Sequence, residues 1–224
     1  MSLQAVSDRE SRLRPMSLTV PIVFVVDDDI SVRESLEGLI RTEGFEVRAF
    51  PSAQHFLSHA RGPVPSCLVL DVHLPDLNGL ELQKRVTDHG EMPIIFLTGY
   101  GDVPMTVEAM KAGAVEFLTK PFDDEVLLGA IRSAIERSRT TLEVDAAIDE
   151  IRGRYASLSR REREVMGLVV SGLLNKQVGG ELGISEITVK AHRGRVMRKM
   201  CAKTFVELVT MAAKLRAATG ADRL

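Results

Sequence analysis

The sequence predicts an α/β domain built on a doubly wound parallel sheet, followed by a smaller all-α domain. Three observations carry this reading. Short apolar runs bounded by turn residues alternate with stretches of helical periodicity in the first half, which is the pattern of βα units. From Asp123 onward that alternation stops, and apolar residues recur every three or four positions. Charge divides the same way: residues 22–122 carry a net of −7 and residues 156–224 a net of +7, within a chain of formal net charge −2. An acidic half and a basic half suit different partners, a cation in one case and a polyanion in the other.

Residues 1–20 are polar and unpatterned, and they read as a flexible leader. Ile22–Val26 is the first strand, followed by a helix over Ser31–Thr42 with Val32, Leu36, Leu39 and Ile40 inward and Gly44 as its stop. Val47–Phe50 is a short second strand, and Ser52 caps a helix reaching His59. The central strand, 67–71, ends abruptly in Asp71, and a helix over Gly79–Asp88 buries Leu80, Leu82 and Val86. Pro93 opens strand 94–97. A helix from Asp102 to Lys111, expected to turn Val107 and Met110 inward, stops at Gly113 before strand 115–118. Five strands with five helices match the flavodoxin-like strand order 2-1-3-4-5.

Several classes are excluded early. The two cysteines, Cys67 and Cys201, are far apart, and the five histidines form no paired ligand pattern. No apolar run approaches the roughly 20 residues a membrane-spanning helix needs, and no signal-peptide core opens the chain. A cytoplasmic protein without a membrane partner is the expectation.

In open α/β sheets ligands bind outside the carboxyl ends of the strands. Here those ends deliver Asp27 and Asp28, Asp71, Thr98 and Lys120 to one rim. Unpaired, the acids repel one another; a hard divalent cation such as Mg²⁺ removes the conflict. Lys120 offers a point charge and Thr98 a hydroxyl to phosphoryl oxygens. An aspartate can be the nucleophile that becomes an acyl phosphate. The set reads as a Mg²⁺-assisted phosphoryl acceptor with Asp71 accepting.

The segments Val25-Val26-Asp27-Asp28-Asp29, Leu70-Asp71-Val72-His73-Leu74-Pro75-Asp76-Leu77-Asn78-Gly79, Thr98-Gly99 and Lys120-Pro121-Phe122 together resemble the receiver domain of two-component response regulators. Gly101–Met105 and Met110–Ala114 are similar to the FixJ-like subgroup. The likeness covers residues 21–122, with the final receiver helix starting at 123. It implies that Asp71 takes phosphate from a histidine kinase and that Asp27, Asp28, Asp71 and the backbone carbonyl of His73 surround Mg²⁺. Thr98 and Lys120 would hold the phosphoryl oxygens, and Phe117 occupies the aromatic switch position.

Residues 123–155 read as the last receiver helix extended into a linker, with Leu127, Leu128, Ile131, Ile135, Leu142, Ala146, Ile148 and Ile151 at helical spacing. Ser159 with Glu162 forms a capping box before a helix burying Val165, Leu168 and Val169. Asn175 is placed to cap a short helix containing Val178 and Leu182. After Gly183-Ile184, Ser185 caps a basic helix running to about Met200, with Ile187, Val189, Val196 and Met200 expected inward. This is helix-turn-helix order, and a basic helix face suits phosphate-driven DNA binding.

Leu158–Val165, Gly172-Leu173-Leu174-Asn175-Lys176, Glu181–Ser185 and Thr188-Val189-Lys190-Ala191-His192 resemble the LuxR-type DNA-binding domain, placed at 156–218 with a tail over 219–224. The resemblance implies that Lys190, Ala191 and Gly194 read base edges while Thr188, His192, Arg193, Arg195 and Arg198 mostly serve phosphates. The final helix, with Val206, Leu208 and Val209, would support dimerisation. Two departures stand out: Gly179-Gly180 where relatives carry helix-favouring residues, each costing about 1 kcal/mol in a helix interior, and Cys201 where glycine commonly ends the recognition helix.

The expected function is phosphorylation-dependent transcription regulation. Its expected partners are a cognate sensor histidine kinase, promoter double-stranded DNA and a second copy of the chain after phosphorylation, with RNA polymerase a further candidate. No enzymatic turnover is expected beyond phosphoryl transfer to Asp71 and slow self-dephosphorylation. The alternatives are a Mg²⁺-dependent phosphatase with an Asp nucleophile, or a receiver serving only as a dimerisation module.

Overall fold

A computed structural model describes residues 19–87, 92–99 and 103–219. The leader before Thr19, the tail after Thr219, and the predicted ends at Asp88 and Asp102 lie outside the described residues.

Branched apolar runs form the strands β1 (Ile22–Val26), β2 (Glu46–Phe50), β3 (Ser66–Asp71), β4 (Ile94–Thr98) and β5 (Glu116–Thr119), paired in parallel in the order β2-β1-β3-β4-β5. Between them run α1 (Ile30–Thr42), α2 (Ala53–Leu57), α3 (Gly79–Thr87) and α4 (Val103–Lys111). Strand residues alternate between two cores, as a period of two requires. Phe24, Val26, Leu68, Leu70, Ile94 and Phe96 pack with Phe56 of α2, Leu82 and Val86 of α3, and Ala109 of α4. Val23, Val25, Val69, Ile95 and Leu97 pack on the other face with Leu36 and Ile40 of α1. That second face is completed by Leu127, Ile131 and Ile135 of a long helix, α5 (Asp124–Ala156). A sheet covered on both sides explains why its central strands are apolar throughout.

Local signals set the ends of the elements. Asp29 caps α1 by accepting from the backbone N–H of Ser31 at 2.8 Å, and Ser52 caps α2 through His55 N–H. Asp123 accepts from Glu125 N–H at 2.8 Å where α5 begins. In α4 the structure corrects the expected inward face. Val107 and Met110 are exposed, while Ala109 is buried and Met105 packs against the core. Val107 lies two positions from each of those residues, about 200° around the helix, so it falls on the opposite side.

The chain divides into two compact units between Leu142 and Glu143, inside α5. Ile151, near the end of α5, belongs to the core of the second unit. That unit comprises α6 (Arg160–Val170), α7 (Asn175–Leu182), α8 (Glu186–Lys199) and α9 (Phe205–Thr219). Leu158, Val165, Met166, Val169, Val178, Val189, Val196, Met200, Leu208, Ala212 and Leu215 form its core. The capping box at α6 is complete, with Ser159 Oγ accepting from Glu162 N–H at 3.3 Å and Glu162 accepting from Ser159 N–H at 2.8 Å.

Three expectations for this unit are corrected. Leu174, not Asn175, is the N-cap of α7, and its N–H is satisfied by the Gln177 side chain at 2.8 Å. Ile187 is 80% exposed, because it stands two positions, or about 200°, from buried Val189. Leu208, a predicted dimer residue, is buried with Ala212 and Leu215 in its own domain's core, which leaves Val206 exposed and Val209 half-buried.

Candidate functional site

Sheet register assembles the acidic rim. Val26 pairs with Leu70, which sets Asp27 beside Asp71; Asp71 pairs with Leu97, and Thr98 pairs with Thr119, the residue before Lys120. Lys120 Nζ then reaches back across the rim, 2.6 Å from Asp27 Oδ2 and 2.5 Å from Asp71 Oδ2. Side-chain oxygens of Asp27, Asp28 and Asp71 lie within 4.8 Å of one another. Asp27 and Asp71 are buried while Asp28 is exposed, so the cluster opens to solvent on the Asp28 side. Hard oxygen donors at this spacing fit a divalent cation such as Mg²⁺.

The electrostatics follow from burial. Desolvation raises the Asp27 carboxyl above its ordinary value, against hydrogen bonds from Lys120 and from Asp29 N–H that lower it. Burial pulls the Lys120 ammonium down, but its bonds to Asp27 and Asp71 outweigh that and hold it above its ordinary value. The ammonium is therefore firmly charged and faces the predicted acceptor. Asp71 Oδ1 accepts from His73 N–H at 2.9 Å, so His73 meets the carboxylate through its backbone amide. Thr98 is fully buried beneath this edge, and the half-buried Phe117 ring stands 6.0 Å from Phe96.

Three residues of this region carry roles that sequence reasoning missed. Gly79 opens α3 where a Cβ would lie 2.8 Å from the Asp71 carbonyl oxygen and 3.0 Å from Val72 Cα, so only glycine allows the helix to start there. Asp76, in the loop after Asp71, accepts from Gln54 N–H at 2.9 Å and Ala53 N–H at 3.3 Å, tying that loop to the start of α2. Arg33 donates to the Asp27 carbonyl at 2.6 Å. In the sequence Gly79 was visible only as the start of a helix and Asp76 only as part of the motif after Asp71, because their partners are distant in sequence or lie on the backbone.

In the basic domain, Ser185 caps α8, accepting from Thr188 N–H at 3.2 Å, and Gly183 makes the preceding turn at φ +64. Lys190, Ala191, Gly194, Arg195 and Arg198 are exposed, and Thr188, His192 and Arg193 are half-buried. Lys190 pairs with Glu186 at 3.2 Å. Arg193, expected at phosphates, donates to Asn175 Oδ1 at 2.6 Å and lies 5.5 Å from the Phe205 ring centre. It is thus committed to holding α7, α8 and α9 together. His192 turns inward, with Nδ1 buried and without a hydrogen-bond partner among the described residues.

Comparison with known proteins agrees with both geometries. Residues 23–132 match the response regulator receiver domain, and residues 156–212 match the luxR family of bacterial regulatory proteins. Nodulation protein W of Bradyrhizobium diazoefficiens is 52% identical over 200 residues, covering 88% of this chain and 87% of that protein. The transcriptional regulatory protein FixJ of the same organism is 44% identical over 191 residues, covering 85% and 93%. The solved structure of the response regulator StyR is 46% identical, with a TM-score of 0.77 and coverage of 88% of this chain and 100% of that one. The chain belongs to the response regulators that join a receiver domain to a LuxR-type DNA-binding domain, and it is a phosphorylation-dependent regulator of transcription.

Proposed function

We propose that Asp71 accepts a phosphoryl group from a sensor histidine kinase, and that this modification controls pairing of two copies of the chain on promoter DNA. The observation that carries the reading is Lys120 bridging Asp27 and Asp71 at 2.6 and 2.5 Å within the three-carboxylate cluster. An Asp71 oxygen attacks phosphorus; a P–O bond forms while the P–N bond to the donor imidazole breaks, and the electron pair leaves with that imidazole. Lys120 passes from the Asp71 carboxylate to a phosphoryl oxygen, and the Thr98 hydroxyl takes another. Asp27, Asp28, Asp71 and the His73 carbonyl would hold Mg²⁺, which when bound neutralises the acids and binds phosphoryl oxygens. Movement of Thr98 with Phe117 carries the change away from the rim. Of the three residues of α9 expected at a dimer contact, Val206 and Val209 remain available to a second copy.

Acetyl phosphate with Mg²⁺ replaces the kinase in a direct test read by intact mass. Wild type gains one phosphoryl group, Asp71→Ala gains none, and neither turns over a chromogenic phosphomonoester. An unmodified wild type rejects the proposal. Steady turnover of the ester supports a phosphatase instead.

A further inference from the structure

We infer that Ile187 is a specificity-determining residue, which packs on the C5-methyl group of a thymine in each half-site of the DNA. The inference rests on the reading of α8 as the helix that enters the major groove. Residues 187, 190, 191 and 194 are spaced i, i+3, i+4 and i+7, so they form one stripe along α8. Every member of that stripe is exposed, and Ile187 leads it with 80% of its surface in water. The opposite stripe, Val189, Val196 and Met200, is fully buried, so the helix cannot rotate to shelter Ile187.

The surroundings indicate what covers it. Lys190, Arg195 and Arg198 give α8 a basic outer surface suited to phosphates, while Ile187 is a branched apolar side chain without charge or hydrogen-bonding atoms. The N-terminal residues of a recognition helix are those nearest base edges, and the apolar group the major groove presents is the thymine methyl. Lys190, adjacent on the stripe and paired with Glu186, is the polar neighbour that would read the next base.

The test compares thymine with uracil, which differ by that methyl alone. Double-stranded DNA is selected from a random pool by the full chain, treated with acetyl phosphate and Mg²⁺. Each thymine of the selected site is then replaced by deoxyuridine, one at a time, and affinities are measured for wild type, Ile187→Val and Ile187→Ala. One thymine per half-site should weaken wild-type binding about fourfold when demethylated, the value of one buried methyl group. Ile187→Val should keep that sensitivity and Ile187→Ala should lose it, with the helical circular dichroism of all three alike. Equal binding of thymine and uracil at every position, or full sensitivity retained by Ile187→Ala, overturns the inference while leaving DNA binding intact. Failure to select any DNA overturns the underlying reading and the inference with it.

Discussion

Lys120 shows how much of the receiver rests on single side chains. Its ammonium pairs with Asp27 at 2.6 Å and with Asp71 at 2.5 Å, and among the described residues it is the only cation within bonding distance of both carboxylates. In the second domain two adjacent glycines are opposites. A Cβ on Gly179 would stand 2.7 Å from the Ile184 carbonyl oxygen, whereas Gly180 faces open space. Gly180→Ala should therefore stabilise the domain by about 1 kcal/mol, the helix-propensity difference. Gly179→Ala should destabilise it by about 1–3 kcal/mol through overpacking. Thermal and denaturant unfolding of the two variants measure both. Glu162 supplies a pH signature. Its hydrogen bond with Lys199, with help from Ser159 N–H, holds the carboxyl at about 2, below its ordinary 4.5. A carboxyl lowered in the folded state stabilises fully above its unfolded value, and that contribution disappears as pH falls through the folded one. Denaturant unfolding should thus lose stability between about pH 4.5 and pH 2, and Glu162→Gln should reduce the slope in that window.

Among the elements, α3 starts against the end of β3, the strand that carries Asp71, the proposed phosphoryl acceptor. Gly79→Ala forces its Cβ against the Asp71 carbonyl and Val72, so the helix must move from the end of β3. Expected outcomes are a loss of about 1–3 kcal/mol in stability and slower phosphoryl uptake by mass; unchanged uptake would separate α3 from the site. Strands and rim were legible in the sequence because apolar runs ending in Asp27, Asp71, Thr98 and Lys120 declare both the strand and its edge. Helix faces were less so. Val107, Met110 and Ile187 are apolar yet exposed, since in short helices a shift of one or two residues reverses the face. Leu208 read as an interface residue because periodicity does not say which apolar stripe meets its own core. The need for Gly179 was hidden because the obstacle is the backbone of Ile184 beyond the turn.

At the scale of the molecule, the split of −7 and +7 between residues 22–122 and 156–224 matches a cation and phosphoryl chemistry in one unit and a polyanion in the other. The central claim is that modifying the first unit alters the second unit's hold on DNA. Its most direct measurement is the affinity of the full chain for its selected DNA, by fluorescence anisotropy at fixed salt, with and without acetyl phosphate and Mg²⁺. Wild type should bind more tightly after phosphorylation, and Asp71→Ala should bind equally in both conditions. Tighter binding by the unphosphorylated wild type, or the same gain in Asp71→Ala, would contradict it.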